Sequence, residues 1–364
     1  MEDRARISLR PSLPGRLAIC LVVVVSVAFL AYDRRWDLYM LPVPDMHHLS
    51  IDTSGYSIES LPFQFDVSFV RGHDLFYADS DGRVFKADAR NPVGTRTEAG
   101  HSHTHPRMLF VSSHGTLFIS GEDRRTKRST DNGKTWKDVL HFLVWRMDED
   151  EAGSTLFAAN YSPRDHPLDM AKLWKSSDDG STWQVVFADE MLDHIHSVRY
   201  DSLYRRIYMT TGDSPSRGEV WSDGQGETWM RIASGRGHGH TDLAISSHYV
   251  FWGTDDSYGR IIRAPRNPVT VGDTILFAKR HQVWWIVARN TQIYAGTYVE
   301  NPKSLSGAFL IASSDEGLTW HKLLEVGKAG STRKALIGES RNLSSDGWVY
   351  FTPSEGQSYR ARKT

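Results

Sequence analysis

Four segments of the chain repeat one short pattern, in which serine and aspartate precede glycine and then Thr-Trp. The segments are STDNGKTW, SSDDGSTW, SDGQGETW and SSDEGLTW, and they begin at Ser129, Ser176, Ser222 and Ser313. Their first residues are 47, 46 and 91 positions apart, so the last interval is close to two periods. A repeat of about 40–50 residues is typical of a β-propeller, in which each unit forms one blade of several strands.

The same period predicts three degenerate copies. One falls in the long interval, at Arg266-Asn267-Pro268, and the others fall one period before and after, at Ser80-Asp81-Gly82 and Ser354-Glu355-Gly356. With these copies the chain contains seven units. The predicted fold is therefore all-β, a seven-bladed β-propeller at residues 63–364, whose short strands are separated by glycine-containing turns.

The repeated segment has the composition of a tight turn. Serine and aspartate side chains bond the backbone within such turns, and glycine supplies the positive φ angle that they need. The pattern resembles the Asp-box, or BNR, repeat of the sialidase-like superfamily, although the copy at Ser222 has Gly224 in the place of the aspartate. The resemblance implies turns between the two outer strands of each blade, far from the usual ligand site. The Phe-Arg-Ile-Pro motif of sialidases is absent, so sialidase activity itself is not expected.

An uncharged apolar run at residues 17–32 follows four arginines near the N-terminus. The run has 16 residues, slightly fewer than the roughly 20 of a spanning helix and at least as many as a signal-peptide core of roughly 7–15. Flanking basic residues stay in the cytoplasm, which directs the rest of the chain outward. We expect a cytoplasmic tail at 1–16, a transmembrane signal-anchor at 17–32 and a stalk at 33–62; cleavage after Ala28 is the alternative.

The overall charge gives no support to a nucleic-acid partner, and the cysteine content rules out an intrachain disulfide. The chain has 43 basic and 44 acidic residues and a formal net charge of −1, so no global basic field attracts a nucleic acid. Cys20 is the only cysteine, so no intrachain disulfide can form. A core of this size does not need one.

Histidines are concentrated where three predicted inner strands begin. Each of these starts contains His-x-His, which places alternate side chains on one face of a strand. We expect His105, His196 and His240 to point into the central funnel, one from each of three blades. Converging imidazoles suit a divalent metal such as Zn²⁺ or Mn²⁺, and a histidine without metal suits general acid–base catalysis.

Arginines, acids and tryptophans occupy similar positions at strand ends. Arginines suit recognition of a carboxylate or a sulfate, paired acids suit glycoside hydrolysis, and tryptophans stack on sugar rings. The predicted substrate-binding residues are Arg107, Arg146, Arg199, Arg333, Trp145 and Trp284. The predicted catalytic residues are the three histidines above together with Asp242, Glu122 and Asp213.

These features favour a carbohydrate-active enzyme outside the membrane. We expect it to act on an acidic oligosaccharide or polysaccharide, by hydrolysis as a glycoside hydrolase or by elimination as a polysaccharide lyase. A cluster of histidines and carboxylates in one funnel favours this enzyme. The alternative is a non-catalytic ligand-binding or assembly-factor propeller, like the Asp-box-like assembly factors of photosystems, and scattered histidines favour it.

Overall fold

The computed structural model describes ten segments of the chain. They are residues 49–150, 152–161, 170–213, 217–223, 225–235, 238–256, 259–278, 281–299, 307–327 and 334–364. The predicted cytoplasmic tail, the signal-anchor, most of the stalk and Arg333 lie outside these segments. Within them, no helix is long and apolar enough to cross a membrane.

Regular structure in the described segments consists of 28 β-strands. The first fourteen are β1 (Tyr56–Ser60), β2 (Val67–Arg71), β3 (Asp74–Ala78), β4 (Arg83–Asp88), β5 (Thr97–His101), β6 (Pro106–Val111), β7 (Leu117–Gly121), β8 (Thr126–Ser129), β9 (Lys137–Leu140), β10 (Val144–Glu149), β11 (Leu156–Asn160), β12 (Ala171–Ser176), β13 (Gln184–Asp189) and β14 (His194–Asp201). The others are β15 (Arg206–Gly212), β16 (Gly218–Asp223), β17 (Met230–Ser234), β18 (His240–Ile245), β19 (Tyr249–Thr254), β20 (Arg260–Pro265), β21 (Asp273–Phe277), β22 (Gln282–Arg289), β23 (Gln292–Val299), β24 (Ala308–Ser313), β25 (His321–Val326), β26 (Lys334–Ile337), β27 (Val349–Pro353) and β28 (Tyr359–Lys363).

The strands form antiparallel sheets of four that follow one another along the chain. Five sheets have the orders β2-β3-β4-β5, β6-β7-β8-β9, β10-β11-β12-β13, β14-β15-β16-β17 and β18-β19-β20-β21. The remaining eight strands form one sheet, in which β22 to β25 and β26, β27, β28 and β1 make two groups of four. Pairing of β23 with β26 joins the two groups.

The N-terminal strand completes the last group of four. All five residues of β1 pair antiparallel with β28, from Tyr56 opposite Lys363 to Ser60 opposite Tyr359. The predicted stalk at residues 33–62 is therefore wrong at its C-terminal end. A five-residue segment with two hydrophobic positions, Tyr56 and Ile58, is too short to show clear periodicity, and β1 is a peripheral strand whose side chains are at most partly buried.

The first strands of successive sheets lie beside one another. Arg71 at the end of β2 donates to the carbonyl of Val111 in β6, and Arg199 in β14 donates to the carbonyl of Leu243 in β18. The first and last groups also meet, because the Val70 amide donates to the Ser340 carbonyl. The starts of the first strands are thereby brought together.

The apolar core lies between neighbouring sheets. Phe69 of β2 packs edge-on against Phe110 of β6 with ring centroids 5.1 Å apart, and both side chains are buried. Each sheet thus uses one face of its strands against the sheet before it and the other face against the sheet after it. This burial on both faces explains why second strands such as β7 are mostly apolar and are buried at every residue.

The repeated turns share one set of hydrogen bonds. In the first copy Ser129 Oγ donates to Asp131 Oδ1 at 2.8 Å, and Thr135 Oγ1 donates to Asp131 Oδ2 at 2.6 Å. The Gly133 amide donates to Ser129 Oγ at 2.8 Å. The copies that begin at Ser176 and Ser313 make the same three bonds. The repeated serine, aspartate, glycine and threonine are therefore explained by turn structure.

Two of the three extrapolated copies are misplaced. The four clear copies and the turn at Arg266-Asn267-Pro268 connect a third strand to a fourth, as β8 connects to β9. Ser80-Asp81-Gly82 instead connects β3 to β4, and Ser354-Glu355-Gly356 connects β27 to β28. Both of these join a second strand to a third, because the first and last groups of strands differ in length from the repeat. The prediction from the period was wrong at both ends.

Candidate functional site

Five of the first strands contain a β-bulge near their start. In each, the register against the second strand skips one residue, and the skipped residues are Arg107, Trp145, His196, Thr241 and Trp284. A bulge leaves its extra residue unpaired and turns its side chain away from the regular alternation. The bulges thus define equivalent positions in the sheets, and three of the predicted substrate-binding residues occupy them.

A cavity of about 620 Å³ lies at the starts of these strands. Three bulge residues, Arg107, Trp145 and Trp284, are in its lining. Arg146 and Glu122 line it as well, so five of the predicted site residues lie around one cavity. His105, His196 and His240 are not among the lining residues.

One side of the cavity is aromatic. Trp145 stacks on Tyr161 with centroids 4.6 Å apart, and it meets Trp284 edge-on at 6.2 Å. Trp145, Trp284 and Tyr161 are all only partly buried. They therefore offer ring surface to a ligand while their mutual packing holds the rings in place.

The floor of the cavity carries buried charges. Arg146 Nη2 pairs with Glu339 Oε1 at 2.6 Å, and both side chains are at most 10% exposed. Burial raises the pKa of Glu339, and the negative charge of Asp242 reinforces the rise, while Arg146 opposes it. A raised pKa favours the protonated form of a carboxyl group, while the ion pair with Arg146 favours the charged form.

Asp242 lies below this floor and is fully buried. It accepts hydrogen bonds from Arg341 Nη1 at 2.7 Å and from Ser197 Oγ at 2.6 Å. Burial by itself raises the pKa of Asp242, but attraction by Arg341, Arg146 and Arg199 lowers it overall. Asp242 was predicted as a catalytic residue, yet it does not line the cavity. It directly follows the bulged Thr241, where the register turns its side chain into the protein.

Arg199 directs its donors at protein groups. Its Nη2 donates to the carbonyl of Arg341 at 2.6 Å, and its Nη1 donates to Asn342 Oδ1 at 3.2 Å. Arg199 was predicted to bind substrate, but it is 9% exposed and is absent from the cavity lining. Its role in the structure is to position Arg341, whose pKa falls to about 10 through burial and the nearby charge of Arg199.

The three histidines predicted to share one metal do not form one ligand group. Among the described residues, two groups have ligand atoms within 4.8 Å of one another: one contains His194, His196 and Asp213, the other Glu219, His238 and His240. His105 belongs to neither group. Its Nδ1 donates to the carbonyl of Ser80 at 2.9 Å, and its Nε2 lies 3.3 Å from Asp66.

The bulge register explains why these histidines diverge. His105 precedes the bulged Arg107 by two residues, and His240 directly precedes the bulged Thr241. His196 is itself a bulged residue. The His-x-His motifs therefore occupy three different positions relative to the bulge, and similar spacing in the sequence does not make them equivalent.

His196 is enclosed by protein. Its Nδ1 donates to the carbonyl of His240 at 2.7 Å, and its Nε2 lies 2.8 Å from His194 Nε2. Burial lowers its pKa, which favours the neutral form of the ring. Its ring also lies against Gly212, where an added Cβ atom falls 2.0 Å from the ring.

The other two predicted catalytic acids lie apart from each other. Glu122 is exposed at the cavity rim and forms an ion pair with Arg107. Asp213 follows β15 in the left-handed region, with φ at 67°, and lies 3.6 Å from His194 Nε2. Asp213 is absent from the cavity lining. Only Glu122 of the predicted acids therefore reaches the cavity.

Several residues at the cavity were not predicted from the sequence. They are Asp66, Tyr161, Glu339 and Arg341. Glu339 and Arg341 follow β26, in the group of strands that lacks a repeated turn between a third and a fourth strand, so the period gave no reference for them. Tyr161 follows the second strand β11, and no site residue was predicted there.

No protein-family model and no curated protein matches the chain. Solved structures match its fold. A structure described as YCF48 bound to D1 peptide has a TM-score of 0.57 and 12% identity, over 89% of this chain and all of that chain. An ancestral GH74 enzyme has a TM-score of 0.53 and 12% identity over 77% of this chain. Hydrazine synthase of Kuenenia stuttgartiensis has a TM-score of 0.50 and 11% identity, over 64% of this chain and 80% of that chain.

The strands and these structural neighbours together define a β-propeller. The four-stranded sheets and the all-β content agree with that class, and the predicted propeller fold is confirmed. The chain spans 40% of the length of the GH74 structure. Similarity at about 12% identity shows the fold alone, so function has to be argued from the cavity.

Proposed function

We propose that this propeller binds an acidic oligosaccharide in the cavity beside Trp145. The observation that carries the proposal is the composition of one lining, in which bulge residues place Arg107, Trp145 and Trp284 around the same space. A cavity of about 620 Å³ is within the usual range for a small-molecule site.

The charges of the lining favour an anion. Its arginines are Arg107, Arg124, Arg146 and Arg341, and its carboxylic acids are Asp66, Glu122 and Glu339. Burial raises the pKa of Asp66 and of Glu339, so these two acids ionise less readily than free carboxylic acids. An excess of guanidinium groups in a partly enclosed space suits a carboxylate, which arginine binds with two parallel hydrogen bonds.

The aromatic side favours a sugar as the carrier of that carboxylate. Trp145 and Trp284 are perpendicular, with an interplanar angle of 88°, so they present one face and one edge to the same space. Such a corner suits the apolar face of a pyranose ring, while the arginines reach its acid group. Uronic acids combine both features.

The architecture around the site is proposed as follows. Seven first strands, β2, β6, β10, β14, β18, β22 and β26, support seven blades, and the shared turn bonds support the Asp-box assignment. We also propose that residues 17–32 anchor the chain in a membrane with the propeller outside the cytoplasm. Retention of the chain in membranes washed at alkaline pH, with the propeller digested by protease added to intact cells, tests this topology.

Calorimetric titration with oligogalacturonate and with neutral galactose oligosaccharides of equal length tests the ligand. We expect oligogalacturonate to bind and the neutral series to bind at least tenfold more weakly. Arg107→Gln should weaken oligogalacturonate binding by about tenfold or more, since it removes a charged hydrogen bond. Arg90→Gln is the matched control, because Arg90 is also an exposed arginine paired with an acid, Asp88. The proposal would be contradicted if charged and neutral oligosaccharides bound equally well. It would also be contradicted if R107Q and R90Q bound oligogalacturonate with equal affinity.

A second candidate function is hydrolysis of the bound glycan. One structural neighbour is a GH74 enzyme, and burial shifts the pKa of Glu339 upward, which is the direction that a general acid requires. Elimination by the predicted histidines loses support, because none of the three lines the cavity. Release of new reducing ends from oligogalacturonate without the unsaturated uronate that elimination forms, abolished by Glu339→Gln, would support hydrolysis. Binding of oligogalacturonate without any product would contradict hydrolysis and support only the binding function.

A further inference from the structure

We propose that Glu219, His238 and His240 bind one divalent transition-metal ion, at a site separate from the glycan cavity. None of the three residues lines that cavity. Glu219 is on β16, His240 begins β18, and His238 precedes it by two residues. The metal would be held between two neighbouring sheets.

The ligand atoms already converge. His240 Nδ1 lies 2.9 Å from Glu219 Oε1, and His238 Nδ1 lies 3.4 Å from both carboxylate oxygens. Ligands at about 2.0–2.1 Å from a tetrahedral zinc ion are separated by roughly 3.3–3.5 Å. The three side chains therefore need only small shifts to coordinate one ion.

Buried atoms whose hydrogen-bonding capacity is unsatisfied point to a missing ligand. Glu219 is 1% exposed and His240 is fully buried. Within the described part of the chain, Glu219 Oε2 and both ring nitrogens of His240 have no hydrogen-bond partner. His240 Nδ1 lies 2.9 Å from Glu219 Oε1, which is close enough for an ion pair, but the two groups lack the alignment of a hydrogen bond. Buried polar atoms without hydrogen bonds destabilise a fold. Two atoms that coordinate the same ion lie close together without bonding each other, as these do.

The donor set selects the class of metal. Two imidazole nitrogens and one carboxylate suit Zn²⁺ and its neighbours in the first transition row, whereas Ca²⁺ and Mg²⁺ prefer oxygen ligands. His238 is the most accessible of the three, with a side chain that is 26% exposed. Entry from that side leaves a fourth coordination position for water.

The neighbouring group of His194, His196 and Asp213 is less suited to a metal. His194 and His196 bond each other through their Nε2 atoms at 2.8 Å, so these two buried nitrogens satisfy one another. Binding an ion there requires breaking that bond. The two groups are in contact, because His196 Nδ1 donates to the carbonyl of His240. A variant in the group of His194, His196 and Asp213 therefore tests whether loss of zinc is specific to the proposed ligands.

Zinc titration of the metal-free full chain tests the site. We expect one Zn²⁺ per chain, and a roughly tenfold or greater loss of affinity in both Glu219→Gln and His238→Ala. Asp213→Asn is the matched control, because it neutralises the carboxylate of the other group and asparagine tolerates its positive φ. His248→Ala controls for loss of an exposed histidine that pairs with a glutamate.

Two readouts keep the result independent of folding. Circular dichroism of each metal-free variant confirms that the sheets form, and the accessible His238 makes H238A the safer of the two ligand variants. Addition of Zn²⁺ should raise the melting temperature of the wild type and of D213N, but not that of E219Q. Wild-type zinc affinity in both E219Q and H238A, or loss of zinc from D213N alone, would overturn the assignment.

Discussion

Arg341 donates from Nη1 to Asp242 Oδ1 at 2.7 Å, and this bond connects residues 99 positions apart in the sequence. It joins the segment after β26 to the start of β18 beneath the cavity floor. Both side chains are almost completely buried, and Arg341 has a φ of 61°, which is unusual for a residue other than glycine. Arg341 also donates to Ser197 Oγ and to the carbonyl of Val198, so the strained backbone is held by several partners.

Neutralising Asp242 should destabilise the fold strongly. Asp242→Asn leaves Arg341 buried without its carboxylate and leaves Arg146 with Glu339 alone, and breaking a buried pair in this way typically costs roughly 3–5 kcal/mol. Denaturant unfolding measures the loss. Asp74→Asn, which breaks an exposed pair with Lys86, should cost no more than about 1 kcal/mol. Similar losses in the two variants would contradict a structural role for Asp242.

The repeated turns should make stability depend on acid pH. Hydrogen bonds from the side chain and then the backbone of Thr182 lower the pKa of Asp178 from 3.8 to about 2. Since the folded pKa is below the unfolded one, the stabilisation is complete above pH 4 and is lost as the pH falls towards 2. Asp178→Asn should melt at a lower temperature at pH 6 and show a shallower decline between pH 4 and 2. An unchanged slope in that range would show that Asp178 titrates normally.

The N-terminal strand should be required for a stable last group of strands. A variant lacking residues 1–60 loses β1 and exposes the edge of β28, whose five pairs are broken. A variant lacking residues 1–48 keeps β1 and serves as its control. We expect a lower melting temperature and concentration-dependent association only in the shorter variant, measured by calorimetry and light scattering. Equal melting of both would mean that β1 contributes little to the fold.

The sequence predicted the parts of the fold that repeat, because their chemistry is local. A turn such as that at Ser129 needs the same few side chains in each copy. A mostly apolar second strand such as β7 can be predicted from its own residues. β1 was missed because its partner, β28, lies 299 or more residues away, from Ser60 to Tyr359. The residues of such a short, half-buried strand do not indicate which distant strand it pairs with.

The site was predicted in part, and the β-bulges explain why the sequence did not predict the rest. Arg107, Trp145 and Trp284 are the skipped residues of their strands and line the cavity, whereas the skipped residues His196 and Thr241 do not. A bulge shifts alternation by one residue, so neighbours in sequence such as His240 and Thr241 exchange faces. The period locates a strand start only to within a few residues. That precision identified the strands, but it did not identify which side chain of each start faces the cavity.

The ion pair of Arg107 and Glu122 separates the two proposed functions most directly. Both side chains are partly exposed at the cavity rim, at 39% and 54%. In a binding site for an acidic glycan, Glu122 competes with the ligand carboxylate for Arg107. Glu122→Gln removes that competitor and one negative charge, so oligogalacturonate should bind several-fold more tightly at low salt. Because exposed charges are screened, the gain should shrink as the ionic strength rises towards 1 M.

A neighbouring acid provides the matched control for this prediction. Asp123 is the next residue, is paired with Lys127 at 2.9 Å and does not line the cavity. Asp123→Asn changes the net charge equally, so it should leave oligogalacturonate affinity close to that of the wild type. If Glu122 is instead a catalytic acid, E122Q should bind normally and abolish the release of reducing ends. Weaker binding by E122Q would show that Glu122 contacts the glycan itself, and the role of Arg107 as the carboxylate partner would then be wrong.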